Sequence, residues 1–149
     1  MTYREARMQA AKQLAAAGVE NEAAESWFLI EAVCQISRSF YLLHERDEMN
    51  PEQEKAYLDL TEKRCQRMPL QYLTGEQEFM GLPFAVNEHV LIPRQDTEVL
   101  VETALDFLKQ RGGKNIEILD LCTGSGCILL SLLFHAQQER REGSVSGGG

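Results

Sequence analysis

The sequence predicts an α + α/β protein: an N-terminal helical bundle, a β-hairpin linker and the beginning of a Rossmann-like sheet that stays incomplete. Three observations favour this class. The first half contains capped segments with helical spacing, the middle contains short β-favouring runs broken by glycine and proline, and the last third contains a strand, a glycine turn and a helix. The expected boundaries are residues 1–74, 75–93 and 94–136, followed by a polar flexible tail over 137–149.

Two helices are expected before residue 37. Thr2 and Glu5 have the spacing of a capping box, and the apolar residues that follow recur at helical spacing until Gly18 ends the helix. Asn21 is expected to cap a second helix that runs to about Ile36. Apolar residues, Trp27 and Phe28 among them, leave this helix only a narrow polar stripe, which predicts a place at the centre of the bundle.

The next helical signals lie between Ser39 and Pro69. A short helix is expected over Ser39–His44. Asn50 and Pro51 then mark the start of a long charged helix, in which Gln53 can complete a capping box. This helix is expected to reach about Arg67 and the helical region to end at Pro69.

A hairpin and a new helix are expected next. The runs Glu78–Met80 and Phe84–Val86 favour β structure between Gly75 and Pro93. Arg94 follows Pro93 directly, and Thr97 can cap a helix that runs to Gly112 and Gly113; an Arg–carboxylate pair at this junction is the structural interpretation. A buried strand is then predicted over Ile116–Asp120, and an apolar helix from Cys127 to about Ala136.

The turn after the predicted strand is the candidate ligand site. A phosphate-binding loop is excluded because Cys127 and Ile128 stand where Lys and Ser or Thr are needed, and a dinucleotide site is disfavoured because Leu129 occupies the third small position. An acidic residue followed by glycines instead resembles motif I of class I methyltransferases, which receives the methionine part of S-adenosylmethionine. The turn consists of Asp120, Leu121, Cys122, Thr123, Gly124, Ser125 and Gly126. A tight turn without a ligand is the alternative interpretation.

Three further segments resemble the release-factor glutamine methyltransferases (the HemK/PrmC family). They are Pro69–Gly75, Glu78–Phe84 and Val90–Glu98, and the resemblance extends from about residue 2 to about residue 135. It implies a helical substrate-docking domain, a hairpin linker and a class I methyltransferase domain. The implied activity is N5-methylation, with S-adenosylmethionine, of the glutamine in the Gly-Gly-Gln motif of peptide chain release factors. The implied cofactor residues are Asp120, Cys122, Thr123, Gly124, Ser125 and Gly126, with Arg94, Thr97 and Glu98 as possible supporting residues.

The sequence also departs from that family. Cys122 stands where the family usually has glycine, and after Ala136 neither a second strand with a ribose-binding carboxylate nor the Asn-Pro-Pro-Tyr motif follows. The chain is therefore expected to be truncated, or to continue into unrelated sequence, and to be inactive alone without a catalytic residue of its own. Two alternatives stay open: a related methyltransferase acting on amino groups of protein or nucleic acid, and a non-catalytic helical fragment that binds release factors.

Composition bounds the remaining functions. The net charge of −8 and the pI near 4.9 disfavour direct nucleic-acid binding and favour a protein partner. Four scattered cysteines and three scattered histidines provide no spacing for a metal site, so no metal is assigned. No apolar run approaches the roughly 20 residues of a membrane span, and no signal peptide is evident, so a cytoplasmic location is expected.

Overall fold

The computed structural model describes residues 1–111 and 116–145, and it divides into two compact units. The first unit runs from Met1 to Gly75 and the second begins at Glu76. The predicted stop at Gly112 and Gly113 and the last four residues of the predicted tail lie outside the described residues.

Helix α1, Tyr3–Ala16, begins and ends with the signals that the sequence predicts. The Thr2 hydroxyl accepts a hydrogen bond from the Glu5 backbone N–H at 3.2 Å, and the Glu5 carboxylate accepts from the Thr2 N–H at 2.9 Å, so the capping box is confirmed. At the other end Gly18 has φ +70°, and the Val19 N–H bonds back to the Leu14 carbonyl, as in a Schellman motif.

Helix α2, Glu22–Cys34, differs from the prediction at both ends. Asn21 precedes it, but its backbone is left-handed with φ 57°, and its side chain makes no capping hydrogen bond. A side-chain cap ordinarily needs an extended backbone at this position, so the expected cap was wrong. The helix also ends two residues before Ile36, because Gln35 adopts the left-handed conformation with φ 53°.

Three more helices complete the first unit: α3 is Arg38–His44, α4 is Pro51–Cys65 and α5 is Leu70–Thr74. Ser37 caps α3, and the Asn50 side chain accepts from the Glu52 N–H at 2.8 Å at the start of α4. The described hydrogen bonds include none from Gln53 that would complete a box there. Helix α4 stops at Cys65, short of the expected end, and α5 was not predicted.

The core of the first unit lies among α1, α2 and α4. Tyr57 is fully buried, and its hydroxyl donates to the Ser26 carbonyl at 2.9 Å. Trp27 is 5% exposed, as expected, whereas Phe28 is 45% exposed and does not belong to the core. The other fully buried apolar residues are Ala6, Ala10, Leu14, Leu29 and Ile30.

The second unit begins with the predicted hairpin. Strands β1, Glu76–Phe79, and β2, Leu82–Ala85, pair antiparallel with Phe79 opposite Leu82. The two turn residues, Met80 and Gly81, both have positive φ, which matches the right-handed twist of the strands.

Two longer helices pack against this hairpin. A 3₁₀ turn, Gln95–Thr97, leads into α6, Glu98–Arg111, and the last helix, α7, is Cys127–Val145. Their shared core consists of Phe79, Phe84, Val101, Leu105, Cys127 and Leu132.

Two expectations for the end of the chain were wrong. Residues 116–120 form no strand, and the hairpin is the only sheet among the described residues, so the start of a Rossmann-like sheet is not confirmed. An apolar run of this kind forms a parallel strand only beside a neighbouring strand, and the described residues offer none. Residues 137–145 continue α7 instead of forming a flexible tail, since Gln, Glu and Arg favour helix.

Candidate functional site

The glycine turn has a specific backbone conformation even though the preceding strand is absent. Cys122, Gly124 and Gly126 have φ values of 61°, 57° and 77°. The Thr123 hydroxyl donates to the Asp120 carboxylate at 2.9 Å. This hydrogen bond links the first residue of the turn to the fourth and orients one carboxylate oxygen of Asp120.

Glycine is favoured where the turn meets α7. A Cβ on Gly126 would lie 3.4 Å from the Leu130 side chain, besides straining the positive φ. At Gly124 a Cβ would meet only the Cys122 carbonyl, at 4.0 Å, so the space above Gly124 is open. The Gly126 carbonyl accepts from the Leu130 N–H at 2.9 Å and starts the helix. The accessible backbone of the turn therefore lies directly before the N-terminus of α7, which is the positive end of the helix dipole.

The surroundings of the turn are exposed. Leu119 and Leu121, on either side of Asp120, are 80% and 76% exposed, and Cys122 is exposed as well. Asp120, Ser125 and Gly126 are half-buried. The six predicted cofactor residues thus lie in one turn that is largely exposed.

The three possible supporting residues have different surroundings. Glu98 accepts a hydrogen bond from the Met80 N–H at 2.8 Å, which ties the start of α6 to the hairpin turn. Arg94 is exposed and takes part in no ion pair with a described residue, so the expected Arg–carboxylate pair was wrong. Thr97 lies inside the 3₁₀ turn, which begins at Arg94 without a side-chain cap, so Thr97 is not the expected capping residue.

One contact, between α7 and the hairpin turn, was not predicted. His135, eight positions after Cys127 on α7, donates from Nε2 to the Met80 carbonyl at 3.0 Å. In the sequence His135 is one of three scattered histidines, and nothing in its neighbourhood indicates a partner 55 residues away. Ser131, on the same helix, is fully buried, and its hydroxyl has no hydrogen-bond partner among the described residues.

Among residues 1–111 and 116–145, no group of three His, Cys, Asp or Glu side chains could hold a metal ion. Within the same ranges, none of the helices combines the length and the apolar character needed to cross a membrane.

Together these features define a protein with a helical N-terminal domain and a second unit that carries a glycine turn before a long helix. Residues 5–75 match the family model described as the PrmC N-terminal domain. Relatives named release factor glutamine methyltransferase match over more of the chain. The protein of Moorella thermoacetica is 41% identical over 94% of this chain and 49% of its own length. That of Geobacter sulfurreducens is 43% identical over 83% of this chain and 43% of its own length.

The chain is homologous to the N-terminal half of the release factor glutamine methyltransferases. It spans about half the length of the curated relatives that it matches.

Proposed function

We propose that the protein takes part in the methylation of peptide chain release factors in the cytoplasm. In this reaction a methyl group is transferred from S-adenosylmethionine to N5 of the glutamine in their Gly-Gly-Gln motif. The observation that carries this proposal is the presence, in one chain related to named release factor glutamine methyltransferases, of the helical domain and the glycine turn with three left-handed residues.

The residues of the turn fit the methionine part of the cofactor. Positive φ at Gly124 and the open space above it let a ligand approach the backbone, and the half-buried Gly126 leads into the positive end of α7. The Asp120 carboxylate, held by Thr123, is available to a cationic ammonium group. When bound, the cofactor supplies an electrophilic methyl group on its sulfonium, and the turn supplies orientation.

The chain by itself is proposed to be inactive. Its 149 residues contain no Asn-Pro-Pro-Tyr motif to hold the target glutamine. Loss of a carboxylate that bonds the ribose hydroxyls removes roughly 1.5–3 kcal/mol of binding free energy, which corresponds to about tenfold to hundredfold in affinity. Weak cofactor binding and no transfer are the expected properties.

Transfer of an isotope-labelled methyl group to a purified release factor tests the proposal. The 149-residue chain is compared with a longer chain in which the second half of the Moorella thermoacetica relative follows residue 136. The longer chain is expected to methylate the glutamine, and its Asp120→Ala variant to lose most of that activity. No methylation by the longer chain would refute the assigned activity.

Calorimetric titration of the 149-residue chain with S-adenosylmethionine tests the second expectation. Binding in the micromolar range would show that the turn alone suffices, and the expectation of weak binding would then be wrong.

A non-catalytic role is the second candidate. The first unit is compact and has its own core. This independence supports a role in which residues 1–75 bind a release factor without the second unit. A separate 1–75 fragment and the whole chain are compared in calorimetric titrations with a release factor. Equal affinity, combined with no methylation by the longer chain, would favour a pure binding module. A related methyltransferase acting on nucleic acid is disfavoured by the net charge of −8.

A further inference from the structure

The backbone of Met80 is held from two sides by side chains of two helices. Its N–H donates to Glu98 Oε1 at 2.8 Å, and its carbonyl accepts from His135 Nε2 at 3.0 Å. Both contacts are partly buried. Since a carbonyl only accepts, His135 Nε2 carries a hydrogen, which is possible in the neutral and in the protonated ring.

Met80 needs such partners because of its place in the hairpin turn. It has φ 52°, and it lies between the paired strands, beyond the Phe79–Leu82 pair. Phe79 before it is 1% exposed, so the start of the turn is pressed against the core of the second unit. A backbone N–H or carbonyl withdrawn from water there is costly unless it is hydrogen-bonded.

The two partners belong to the two segments that carry the candidate site. Glu98 is the first residue of α6 and the last residue of the segment Val90–Glu98. His135 lies on α7, the helix that follows Gly126 directly. It lies eight positions after Cys127, which corresponds to roughly 12 Å along the helix axis. Fixing His135 against the hairpin therefore fixes the start of α7 and the turn before it.

We propose that Glu98 and His135 are positioning residues, which act through the backbone of Met80 to hold the glycine turn in register with the start of α6. This proposal rests on the proposed function of the turn as the cofactor cradle. Neither residue is assigned a contact with the substrate or the cofactor.

The cysteines allow a direct test on the whole chain, without cofactor or release factor. Cys127, the first residue of α7, is 8% exposed, whereas Cys122 in the turn is exposed. Cys34 is buried in the first unit and reports on that unit alone. Alkylation rates of the individual thiols are followed by mass spectrometry with fragment ions that separate Cys122 from Cys127.

Two pairs of variants remove or preserve each contact. Glu98→Ala and His135→Ala remove the acceptor and the donor, while Glu98→Gln keeps an acceptor oxygen and His135→Gln keeps a donor nitrogen. Gln138→Ala, at an exposed position on α7, is the matched control. Each alanine variant is expected to raise the alkylation rate of Cys127 by about three- to tenfold through more frequent opening. The glutamine variants and Gln138→Ala are expected to stay within about twofold of the parent rate.

An unchanged Cys127 rate in either alanine variant would overturn the proposal. So would equal rates in the alanine and glutamine variants, or a parallel rise at Cys34. Because the assay contains no cofactor, a failure of the proposed methyl transfer would leave its result intact. In the longer chain, His135→Ala is expected to raise the KM for S-adenosylmethionine and His135→Gln to restore it.

Discussion

The second unit of this protein leaves more of its large apolar side chains exposed than the first unit does. In the first unit Leu14, Leu29, Ile30 and Tyr57 are fully buried on the facing sides of α1, α2 and α4. In the second unit large apolar side chains remain on the surface of both helices and of the segment between them: Val99, Leu100, Phe107, Ile118, Leu119, Leu121, Leu130, Leu133 and Phe134 are each at least 40% exposed.

The difference shows what each kind of architecture requires. Helices satisfy their backbone hydrogen bonds internally, so three of them close a core as soon as their apolar faces meet. A parallel strand such as the one predicted over residues 116–120 needs neighbouring strands for its hydrogen bonds and helices on both faces. The first unit meets its requirement within 75 residues, and the second unit does not meet its own within the described residues.

The largest expected effect tests the core of the first unit. Trp27 is 5% exposed and packs edge-to-face on Tyr41 with ring centroids 5.5 Å apart. Trp27→Ala is expected to lower the free energy of unfolding by about 3–5 kcal/mol in urea denaturation followed by circular dichroism. Phe28→Ala, on the same helix but at a 45% exposed position, is the control and is expected to cost about 1 kcal/mol or less. A loss below about 1 kcal/mol for Trp27→Ala would contradict the assignment of Trp27 to the core.

A smaller effect is expected at the ion pair between α2 and α4. Arg64 binds both carboxylate oxygens of Glu25, at 2.5 and 3.0 Å, and both side chains are largely buried. Arg64→Lys cannot reproduce the two parallel hydrogen bonds and is expected to cost about 1.5–3 kcal/mol in the same assay. The matched control is Arg4→Lys, whose partner Glu45 lies at 3.3 Å from a 52% exposed side chain, with an expected change within about 0.5 kcal/mol. Equal effects at the two sites would show that burial does not distinguish these pairs.

The third prediction concerns backbone strain in the second unit. Cys122 has φ 61°, a conformation that costs a residue with a Cβ about 1–2 kcal/mol. Cys122→Gly removes that cost but adds freedom to the unfolded chain, so a net gain of about 0.5–1 kcal/mol is expected. Ser125→Gly, in the same turn but without positive φ, is expected to destabilise the unit by a similar amount. Urea denaturation of the two variants in parallel measures the sign, and destabilisation by Cys122→Gly would exclude strain at this position.

The smallest effect is expected at the capping box of α1. Hydrogen bonding to Thr2 holds the pKa of the Glu5 carboxyl below its ordinary value. The Thr2 backbone N–H contributes most to this shift, and the Thr2 side chain adds to it. Because the pKa is lowered in the folded state, the stabilisation is present above the ordinary value of 4.5 and is lost as the pH falls through the folded-state pKa. A small loss of stability on acidification is therefore expected, and Glu5→Gln, which keeps the acceptor without the charge, is expected to lack this contribution. Urea denaturation of both proteins between about pH 7 and pH 3 measures it. Identical pH profiles would show that the box does not titrate.

Predictability from the sequence follows the range of the interactions. Thr2, Gly18 and Pro51 act within one helical turn of their own position, so the ends of α1 and the start of α4 could be predicted. The hydrogen bond from Tyr57 to Ser26 joins residues 31 positions apart and carries no local signal. Helix α5 was missed because Pro69 and Gly75 enclose only five residues, too few for a periodic pattern.

The candidate site shows the same division. The glycine turn could be predicted because glycines such as Gly124 and Gly126 indicate positive φ, a conformation that other residues avoid. The predicted strand before the turn was wrong because an apolar run indicates that a segment favours burial. It does not indicate which neighbouring element would cover that segment. The contact of His135 with Met80 depends on how α7 lies against the hairpin, which no residue near either position encodes.

The end of α1 has a consequence for the order of folding. Arg67 donates to the carbonyls of Ala17 and Gly18 at 2.8 and 3.2 Å, so a side chain about 50 positions later binds the two residues that directly follow the first helix. During synthesis α1 leaves the ribosome several seconds before Arg67 at about 5–20 residues per second. During that interval the carbonyls of Ala17 and Gly18 lack the Arg67 side chain and can bond only to water. The helix is thus expected to fray until α4 and the residues after it arrive, so the first unit folds cooperatively only once nearly all of it has been made.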